Sequence, residues 1–293
     1  MSALGDFRLS PGDITFTGHD LSRPECIVED PQGSLWVSDN RAALTRIDAD
    51  GTQTRVGTIG GAPNGFARDR QGRFWIADIE GGRICRMTAD GHHEVVLDRF
   101  DGAPLGAANF VLADAGDTLW VSVSTRTVPR SRAVQAPIPD GFVLRIAGAG
   151  DGPVVATLAA GGFHFTNEVR IDARRRHLYV AETAIGAVTR LPLHADGSLG
   201  PPEPFGPRPL FPGAHVDGIV FDSEGNLWVT EITRNAIVVL RPDGSAHTVF
   251  EDPAGAVLQV PTSITFTGPD RRTALVGSLR ADRLATFRSP VPG

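Results

Sequence analysis

The sequence predicts an all-β fold, a six-bladed β-propeller whose blades are four-stranded antiparallel sheets. Three observations predict it. One phrase built around an aromatic residue recurs along the 293 residues with a period of 39 to 58, the range typical of propeller blades. Tight polar turns separate short alternating segments, and 34 glycines and 22 prolines fit many turns better than they fit helices.

The repeated phrase is interpreted as a strand, a tight turn and a second strand. Its copies read ECIVEDPQGSLWVSD, NGFARDRQGRFWIAD, NFVLADAGDTLWVSV, NEVRIDARRRHLYVAE, DGIVFDSEGNLWVTE and a degenerate TSITFTGPDRRTALVGS. The leading residue precedes the aromatic by 11 positions, and by 12 in the fourth copy. The aromatic residues are therefore expected to pack blade against blade: Trp36, Trp75, Trp120, Tyr179 and Trp228.

The remaining strands complete each blade. An alternating third strand that ends in an Asp-Gly turn follows each phrase, as in AIVVLRPDG, and a fourth strand such as SAHTVFE follows in most copies. The sixth copy runs out after about three strands. The segment GDITFTG, 12–18, is predicted to supply its outer strand and close the ring. One domain is expected over 1–293, with the insertion 124–141 as a surface lid.

Composition excludes several classes of protein. A net charge of −6 and a pI near 5.7 argue against a nucleic-acid partner. The N-terminus lacks a signal-peptide pattern and no run of 18 apolar residues occurs, so we expect a cytoplasmic protein without a membrane partner. Cys26 and Cys85 fit neither a disulfide framework nor a zinc motif, which favours a reducing compartment.

The leading residues of the copies share one property, because all carry a side-chain oxygen. They are Glu25, Asn64, Asn109, Asn167, Asp217 and Thr262 or Ser263. The innermost strands of a propeller line its central channel, so these side chains are expected to converge near the axis. A single Asn or Asp at a strand start is more often a turn residue. Recurrence at equivalent positions instead favours a cation, since buried carboxylates without a partner are costly.

The absence of His and Cys from this set indicates a hard ion, with Ca²⁺ favoured over Mg²⁺. The predicted metal ligands are Glu25, Asn109, Asn167 and Asp217. Asn64 is predicted to line the channel and contact the substrate.

Four stretches, PECIVEDPQGSLWVSD, APNGFARDRQGRFWIAD, TNEVRIDARRRHLYVAE and VDGIVFDSEGNLWVTE, match the EGPxW, PNG and PDG blade openings of a known family in order and spacing. The chain resembles the SMP-30/gluconolactonase/luciferin-regenerating family, which also includes diisopropylfluorophosphatase-like phosphotriesterases. The resemblance implies one divalent metal ion at the channel mouth, Ca²⁺ being favoured and Zn²⁺, Mg²⁺ and Mn²⁺ being alternatives. The family's metal-binding residues fall on Glu25, Asn167 and Asp217, and Asn109 matches a position that is a metal ligand in some members and a substrate contact in others.

The resemblance further implies a lactonase-type hydrolase that acts on a small molecule. A metal ion would polarise the ring carbonyl, and Asp217 would activate the attacking water or act as the nucleophile itself. Phosphotriester hydrolysis at the same site and a non-enzymatic binding propeller stay open as alternatives.

Departures from the family pattern bear on the substrate. Phe110 follows Asn109 where relatives read PND, and Ala107 stands where sugar-lactone members often carry Arg. Together with Phe163 and Phe165, these changes predict a less polar pocket.

Three further substrate contacts are predicted, besides Asn64. They are Phe110, Arg126 and His215. His215 is either a proton shuttle or an ordinary hydrogen-bonded loop histidine. Arg126 either clamps a carboxylate product or lies in a solvated lid.

Overall fold

The computed structural model describes residues 3–148, 150 and 154–293. These residues form six four-stranded antiparallel sheets, so the predicted six-bladed β-propeller is confirmed. Strand β1 is Thr15–Thr17 and belongs to the last sheet. Blade 1 consists of β2 Ile27–Glu29, β3 Leu35–Ser38, β4 Leu44–Ile47 and β5 Gln53–Val56. Blade 2 consists of β6 Pro63–Arg68, β7 Phe74–Asp78, β8 Arg83–Met87 and β9 His93–Leu97.

A two-stranded hairpin, β10 Arg99–Phe100 and β11 Ala103–Pro104, precedes the third blade. Blade 3 consists of β12 Ala108–Ala113, β13 Leu119–Val123, β14 Gly141–Ile146 and β15 Ala156–Phe163. Blade 4 consists of β16 Thr166–Ile171, β17 His177–Glu182, β18 Ala187–Pro192 and β19 Glu203–Phe205. Blade 5 consists of β20 Val216–Phe221, β21 Leu227–Glu231, β22 Ala236–Leu240 and β23 Ala246–Glu251. Blade 6 consists of β24 Pro261–Thr267, β25 Thr273–Ser278 and β26 Leu284–Arg288, with β1 on its outside.

The ring is closed by the pairing of the first strand with the last. Thr15 of β1 stands opposite Thr286 of β26, and Thr17 stands opposite Leu284. The hydroxyls of Thr17 and Thr286 also lie 2.9 Å apart, within hydrogen-bond distance. This confirms the expectation that an N-terminal strand completes the last blade. Because both ends of the chain lie in one sheet, the ring opens only if that sheet separates.

One side-chain contact recurs in the blades and explains the spacing of the repeated phrase. The indole Nε1 of the strand-two tryptophan donates to an aspartate of the preceding turn, which also caps that turn. The pairs are Trp36 with Asp30 at 2.9 Å, Trp75 with Asp69 at 2.9 Å, Trp120 with Asp114 at 3.2 Å and Trp228 with Asp222 at 3.0 Å. Each indole is buried, so its N–H needs a partner, and the aspartate six residues earlier provides one.

The insertion 124–141 leaves blade 3 between β13 and β14 and contains the short helix α1, Ser131–Gln135. Its base is held by Asp140, whose Oδ2 accepts from the hydroxyl of Thr125 at 2.7 Å and from the backbone N–H groups of Arg126 and Thr127. The other helices are the 3₁₀ turns Pro11–Asp13, Ala115–Asp117 and Thr183–Ile185, the last of which lies against α1. Among the described residues no helix is long and apolar enough to cross a membrane.

The cap on the blade-5 turn can be tested by Asp222→Ala. Asp222 accepts from Trp228 Nε1, from the backbone N–H of Asn226 at 2.9 Å and from the backbone N–H of Glu224 at 3.0 Å, and it is buried. Removal leaves buried donors unsatisfied, so the free energy of unfolding should fall by about 2–4 kcal/mol in urea denaturation.

Asp243→Ala is the matched control, because Asp243 also caps a turn but is exposed and binds only Ser245. It should cost less than about 1 kcal/mol. Equal losses for the two variants would contradict the proposed importance of the buried indole contact.

Candidate functional site at the channel mouth

The leading residues of blades 2 to 6 lie at β-bulges in the innermost strands. Bulges leave residues outside the ladder and re-aim their side chains, and they are over-represented beside active sites. The pairing register of the inner strands shifts between Pro63 and Phe66, Ala108 and Phe110, Thr166 and Val169, Val216 and Ile219, and Pro261 and Ile264. Asn64, Asn109, Asn167 and Asp217 all fall inside these gaps. In blade 1, Glu25 precedes the first paired residue of β2.

Hydroxyl groups of the neighbouring strand bind the backbone that the bulges release. Ser38 Oγ accepts from the N–H groups of Glu25 at 3.1 Å and Cys26 at 2.9 Å. Thr230 Oγ1 accepts from the N–H of Gly218 at 2.7 Å. At the openings of blades 1 and 5 these backbone N–H groups are therefore satisfied without the side chains of Glu25 and Asp217.

Two glycines follow leading residues because adjacent inner strands approach closely there. A Cβ on Gly65 would lie 2.2 Å from the Phe110 ring, and one on Gly218 would lie 2.5 Å from the carbonyl oxygen of Thr262. The Asn-Gly and Asp-Gly pairs thus mark blade contacts inside the ring rather than turns.

The three asparagine amides are oriented by their NH₂ groups. Nδ2 of Asn64 donates to the carbonyl of Asn109 at 2.9 Å. Nδ2 of Asn109 donates to Ser124 Oγ at 3.0 Å, and Nδ2 of Asn167 donates to Thr183 Oγ1 at 3.1 Å. Of the three amide oxygens, Oδ1 of Asn64 accepts from Nη2 of Arg23 at 2.7 Å. Oδ1 of Asn109 is buried and has no hydrogen-bond donor among the described residues.

Three carboxylates are buried together in the channel, those of Glu25, Glu168 and Asp217, each at most 6% exposed. Burial raises the pKa of Asp217 well above its ordinary value, and the negative charges of Glu25 and Glu168 raise it further. Burial likewise raises the pKa values of Glu25 and Glu168. Simultaneous ionisation of the three carboxyl groups is therefore unfavourable unless cations lie close to them.

Two arginines face this acidic group. Nη2 of Arg23 lies 2.6 Å from Oε2 of Glu25, and its charge lowers the pKa values of both Glu25 and Asp217. Nη2 of Arg170 lies 2.9 Å from Oε2 of Glu168, which also accepts from the N–H of Ile219 at 3.1 Å. The sequence pattern singled out neither arginine as part of the site, because Arg23 lies before the repeated phrase and the other copies have no arginine at the position of Arg170.

The loops that lead into the site are held by a set of buried acids that the sequence analysis also missed. Glu231 accepts from the N–H groups of His215 at 2.8 Å and Arg234 at 2.9 Å, and Glu182 accepts from the N–H of His164 at 2.9 Å. In blade 2, Oδ1 of Asp78 accepts from the backbone N–H of Ala62 at 2.9 Å. The signal was present, since the phrases of blades 1, 2, 4 and 5 end in Asp or Glu.

A cavity of about 980 Å³ lies under the insertion at this end of the channel. Its lining includes Ala107 and Phe165, each two residues before a predicted ligand, together with Arg126 and Arg130 of the insertion. Burial raises the pKa of Glu25 and the charge of Arg130 lowers it, but none of the four predicted metal ligands is among the described residues that line this cavity. A cavity of this size suits a small molecule.

The predicted substrate residues occupy different places. Arg126 lines this cavity, with its guanidinium over the Phe142 ring at 4.9 Å and Nη2 bonded to the carbonyl of Phe100. Asn64 lies in the buried site, with Oδ1 accepting from Arg23 at 2.7 Å. His215 is half-buried on the loop before β20 and is absent from the cavity lining among the described residues.

The phenylalanines expected to make the pocket less polar are also separated. Phe165 lines the cavity under the insertion, whereas Phe163 is buried in the hydrophobic core. Phe110 lies on the other side, under the Arg170 guanidinium at 4.4 Å, and lines a smaller cavity of about 260 Å³ at the opposite end of the channel. Of these three phenylalanines, Phe165 alone is among the described residues that line the cavity under the insertion.

The donor set fits a hard divalent cation. Two buried oxygens, Glu25 Oε2 and Asn109 Oδ1, lack a hydrogen bond from any described residue, and the other candidates are carboxylate and amide oxygens. Within the described ranges no cluster of three or more His, Cys, Asp and Glu side chains has metal-binding geometry. A metal ion here would therefore depend on the asparagines, as the sequence pattern predicts.

Comparison with known proteins links this geometry to one family. Residues 23–280 match the family model described as SMP-30/Gluconolactonase/LRE-like region. The chain is 28% identical over 222 residues to 6-deoxy-6-sulfogluconolactonase from Pseudomonas putida, covering 75% of this chain and 70% of the relative. It is 23% identical over 233 residues to diisopropyl-fluorophosphatase from Loligo vulgaris, covering 75% and 72%.

A solved structure supports the fold. Regucalcin from Agrobacterium tumefaciens, described as a calcium-binding protein, superposes with a TM-score of 0.74 at 20% identity, covering 95% of each chain. The whole ring, and not one or two blades, is shared.

The buried carboxylates predict a pH dependence of stability in the metal-free protein. A raised folded-state pKa means that the folded state retains protons that the unfolded chain releases above about pH 4. The melting temperature of EDTA-treated protein should then fall as pH rises from 5 to 8. Asp217→Asn removes one of these groups, so it should raise Tm at pH 8 by about 2 °C or more and flatten the slope.

Asp243→Asn serves as the control, because Asp243 is exposed, and it should change Tm by less than about 1 °C. A metal-free Asp217→Asn protein that melts below wild type at pH 8 would contradict the inferred repulsion.

Proposed function

The chain belongs to the SMP-30/gluconolactonase/LRE-like family, and from this membership we propose that it is a divalent-metal-dependent hydrolase that opens a lactone or related cyclic ester. The family includes propeller hydrolases, and the sulfogluconolactonase relative supports a cyclic ester as substrate class. One observation carries the proposal. The NH₂ group of Asn109 is bound to Ser124, which leaves its buried Oδ1 without a hydrogen-bond donor among the described residues, and the buried carboxylates of Glu25 and Asp217 interact electrostatically.

The proposed ligands are Glu25, Asn109, Asn167 and Asp217, with Ca²⁺ as the favoured ion. The regucalcin likeness agrees with calcium, as does the all-oxygen donor set. When bound, such an ion polarises the lactone carbonyl and stabilises negative charge on its oxygen.

Asp217 is the proposed catalytic base. Aspartate is among the side chains that act as general bases when they are held beside the reacting water. It would take a proton from the water that attacks the carbonyl carbon. The ring C–O bond then breaks, and Asp217 returns the proton to the departing alkoxide, giving a hydroxy acid. In the alternative mechanism, the carboxylate of Asp217 would attack the carbonyl carbon directly, and water would then release the acyl group from Asp217.

The cavity under the insertion is proposed to hold the substrate. Arg126 and Arg130 line it beside apolar side chains that include Phe165 and Val128. This mixture suits a substrate with one polar or anionic end and a less polar ring.

Phosphotriester hydrolysis at the same centre is the second candidate, favoured by the match to diisopropyl-fluorophosphatase. A non-enzymatic ligand- or protein-binding propeller is the third, because the fold alone does not determine activity.

The proposed activity predicts hydrolysis of at least one member of a panel of sugar and apolar γ- and δ-lactones, followed by acid release at constant pH. Asp217→Asn should lower kcat/KM by about 10²–10⁴, the usual contribution of a general base. Asp243→Asn is the control, and a phosphotriester is included in the panel. Phosphotriester turnover without lactone turnover would favour the second candidate, and an active Asp217→Asn enzyme would exclude Asp217 as base or nucleophile.

The proposed metal site predicts a thermal shift. EDTA should lower Tm, and Ca²⁺ at about 100 times its Kd should restore about 2.7 kcal/mol of stability, which is a shift of several degrees. Glu25→Gln should weaken or abolish the response while Glu203→Gln, on exposed β19, should leave it unchanged. An identical calcium response in Glu25→Gln would place the ion elsewhere.

A further inference from the structure

We propose that the guanidinium of Arg23 is a tethered cation that holds the acidic site together in the absence of a divalent ion, and that the ion must displace it. This inference rests on the proposed metal site. It assigns to Arg23 a role in setting metal affinity that the repeated phrase does not indicate, since Arg23 lies outside it.

Arg23 already contacts one of the proposed metal ligands, Glu25, together with the channel residue Asn64. A single nitrogen, Nη2, lies 2.6 Å from Glu25 Oε2 and donates to Asn64 Oδ1 at 2.7 Å. Nη1 donates to the carbonyl of Pro63 at 3.3 Å. The guanidinium thus joins blade 1 to blade 2 through two side-chain oxygens that point into the channel.

The contact with Glu25 is an ion pair without hydrogen-bond alignment. Oε2 of Glu25 lies within 2.6 Å of Arg23 and yet receives no aligned hydrogen bond from any described group. Charge attraction therefore supplies most of the contact with Glu25, and displacement of Arg23 would break its hydrogen bonds to Asn64 and Pro63 rather than one to Glu25.

Charge balance favours exchange over joint occupancy. Glu25, Glu168 and Asp217 carry three negative charges when ionised, against the two positive charges of Arg23 and Arg170. Arg130 acts on Glu25 from farther away and is itself paired with Glu80 at 2.6 Å. A divalent ion that replaced Arg23 would bring this buried group to neutrality, whereas an ion added beside Arg23 would leave one positive charge in excess.

Arg23 has a route out of the site. It lies on the loop before β2, and its side chain is 19% exposed, more than the 7% of the Glu25 side chain. Its backbone has φ of 54°, the left-handed region that residues other than glycine seldom adopt. In contrast, Arg170 lies within strand β16 and its guanidinium covers the Phe110 ring, so Arg170 is expected to stay in place.

The test compares wild type with Arg23→Met, which keeps a long side chain and removes the charge. Proteins stripped with EDTA are titrated with CaCl₂ by calorimetry, and Tm is measured with and without the ion. Because Arg23 repels an incoming cation at short range, Arg23→Met should bind Ca²⁺ about tenfold more tightly or better. Without Ca²⁺ its Tm should lie below that of wild type, and saturating Ca²⁺ should close or reverse the difference.

Two further variants separate charge from packing. Arg23→Lys keeps the charge and should bind Ca²⁺ more weakly than Arg23→Met. Arg288, on β26, is an exposed arginine that pairs with Asp270. Arg288→Met should change neither the Ca²⁺ affinity nor the calcium-induced shift in Tm. In a calcium-bound crystal structure, Nη2 of Arg23 should lie beyond the roughly 4 Å limit of an ion pair with Glu25.

Each outcome decides the inference. If wild type binds Ca²⁺ as tightly as Arg23→Met, or if Arg23 keeps its contact with Glu25 beside a bound ion, the exchange is wrong and the metal site stands. If neither protein binds Ca²⁺ or another divalent ion, both the exchange and the proposed metal site are wrong. Binding by Arg23→Met alone would show that the ion cannot displace Arg23, which would contradict both the exchange and the proposed metal dependence of the wild-type protein.

Discussion

The burial of three carboxylates around one axis is the constraint on which the rest of the structure depends. Like charges in a medium of low dielectric repel strongly, and each loses the hydration it would have in water. Around this group the chain places two guanidinium groups and three amides. A site that contributed only to stability would be simpler with apolar residues, because well-packed hydrophobic groups commonly match or exceed a buried ion pair in stability.

The propeller makes this convergence possible because the innermost strands of all six blades surround one axis, so residues far apart in the sequence meet there. Glu25 and Asp217 are 192 positions apart, yet the charge of one acts on the pKa of the other. Two local devices bring the side chains to the axis. Bulges turn the leading residues out of the ladder, and hydroxyls such as those of Ser38 and Thr230 bind the freed backbone.

The two ends of the channel differ in chemistry. At the end where the inner strands begin, the insertion covers a large cavity, and Arg130 in its lining acts electrostatically on Glu25. At the other end, Arg170 covers Phe110, and the smaller cavity is lined by further arginines, Arg68 and Arg271. Arg170 and Phe110 thus lie toward the mouth opposite the insertion. The two mouths of the channel therefore differ in the residues that line them.

The sequence by itself determined the architecture. A constant spacing between a leading polar residue and an aromatic, together with a short last copy, was enough to predict six blades and the closing strand, because each repeat is a local unit whose strands and turns obey short-range rules. It also predicted which side chains converge, since equivalent positions of a ring face one axis. Their role as metal ligands stays a prediction.

Only the tertiary structure decided which cationic side chains pair with the buried acids. Arg23 meets Glu25 and Asn64 across two blades, and Arg170 meets Glu168, contacts that no repeated spacing encodes. Phe110 followed a site residue in the chain and was expected beside the substrate, but it lies toward the opposite mouth beneath Arg170. A bulge alters side-chain direction by one residue, and direction within a bulge depends on the neighbouring strand, so the pattern of letters could place Phe110 in the channel without saying toward which end it points.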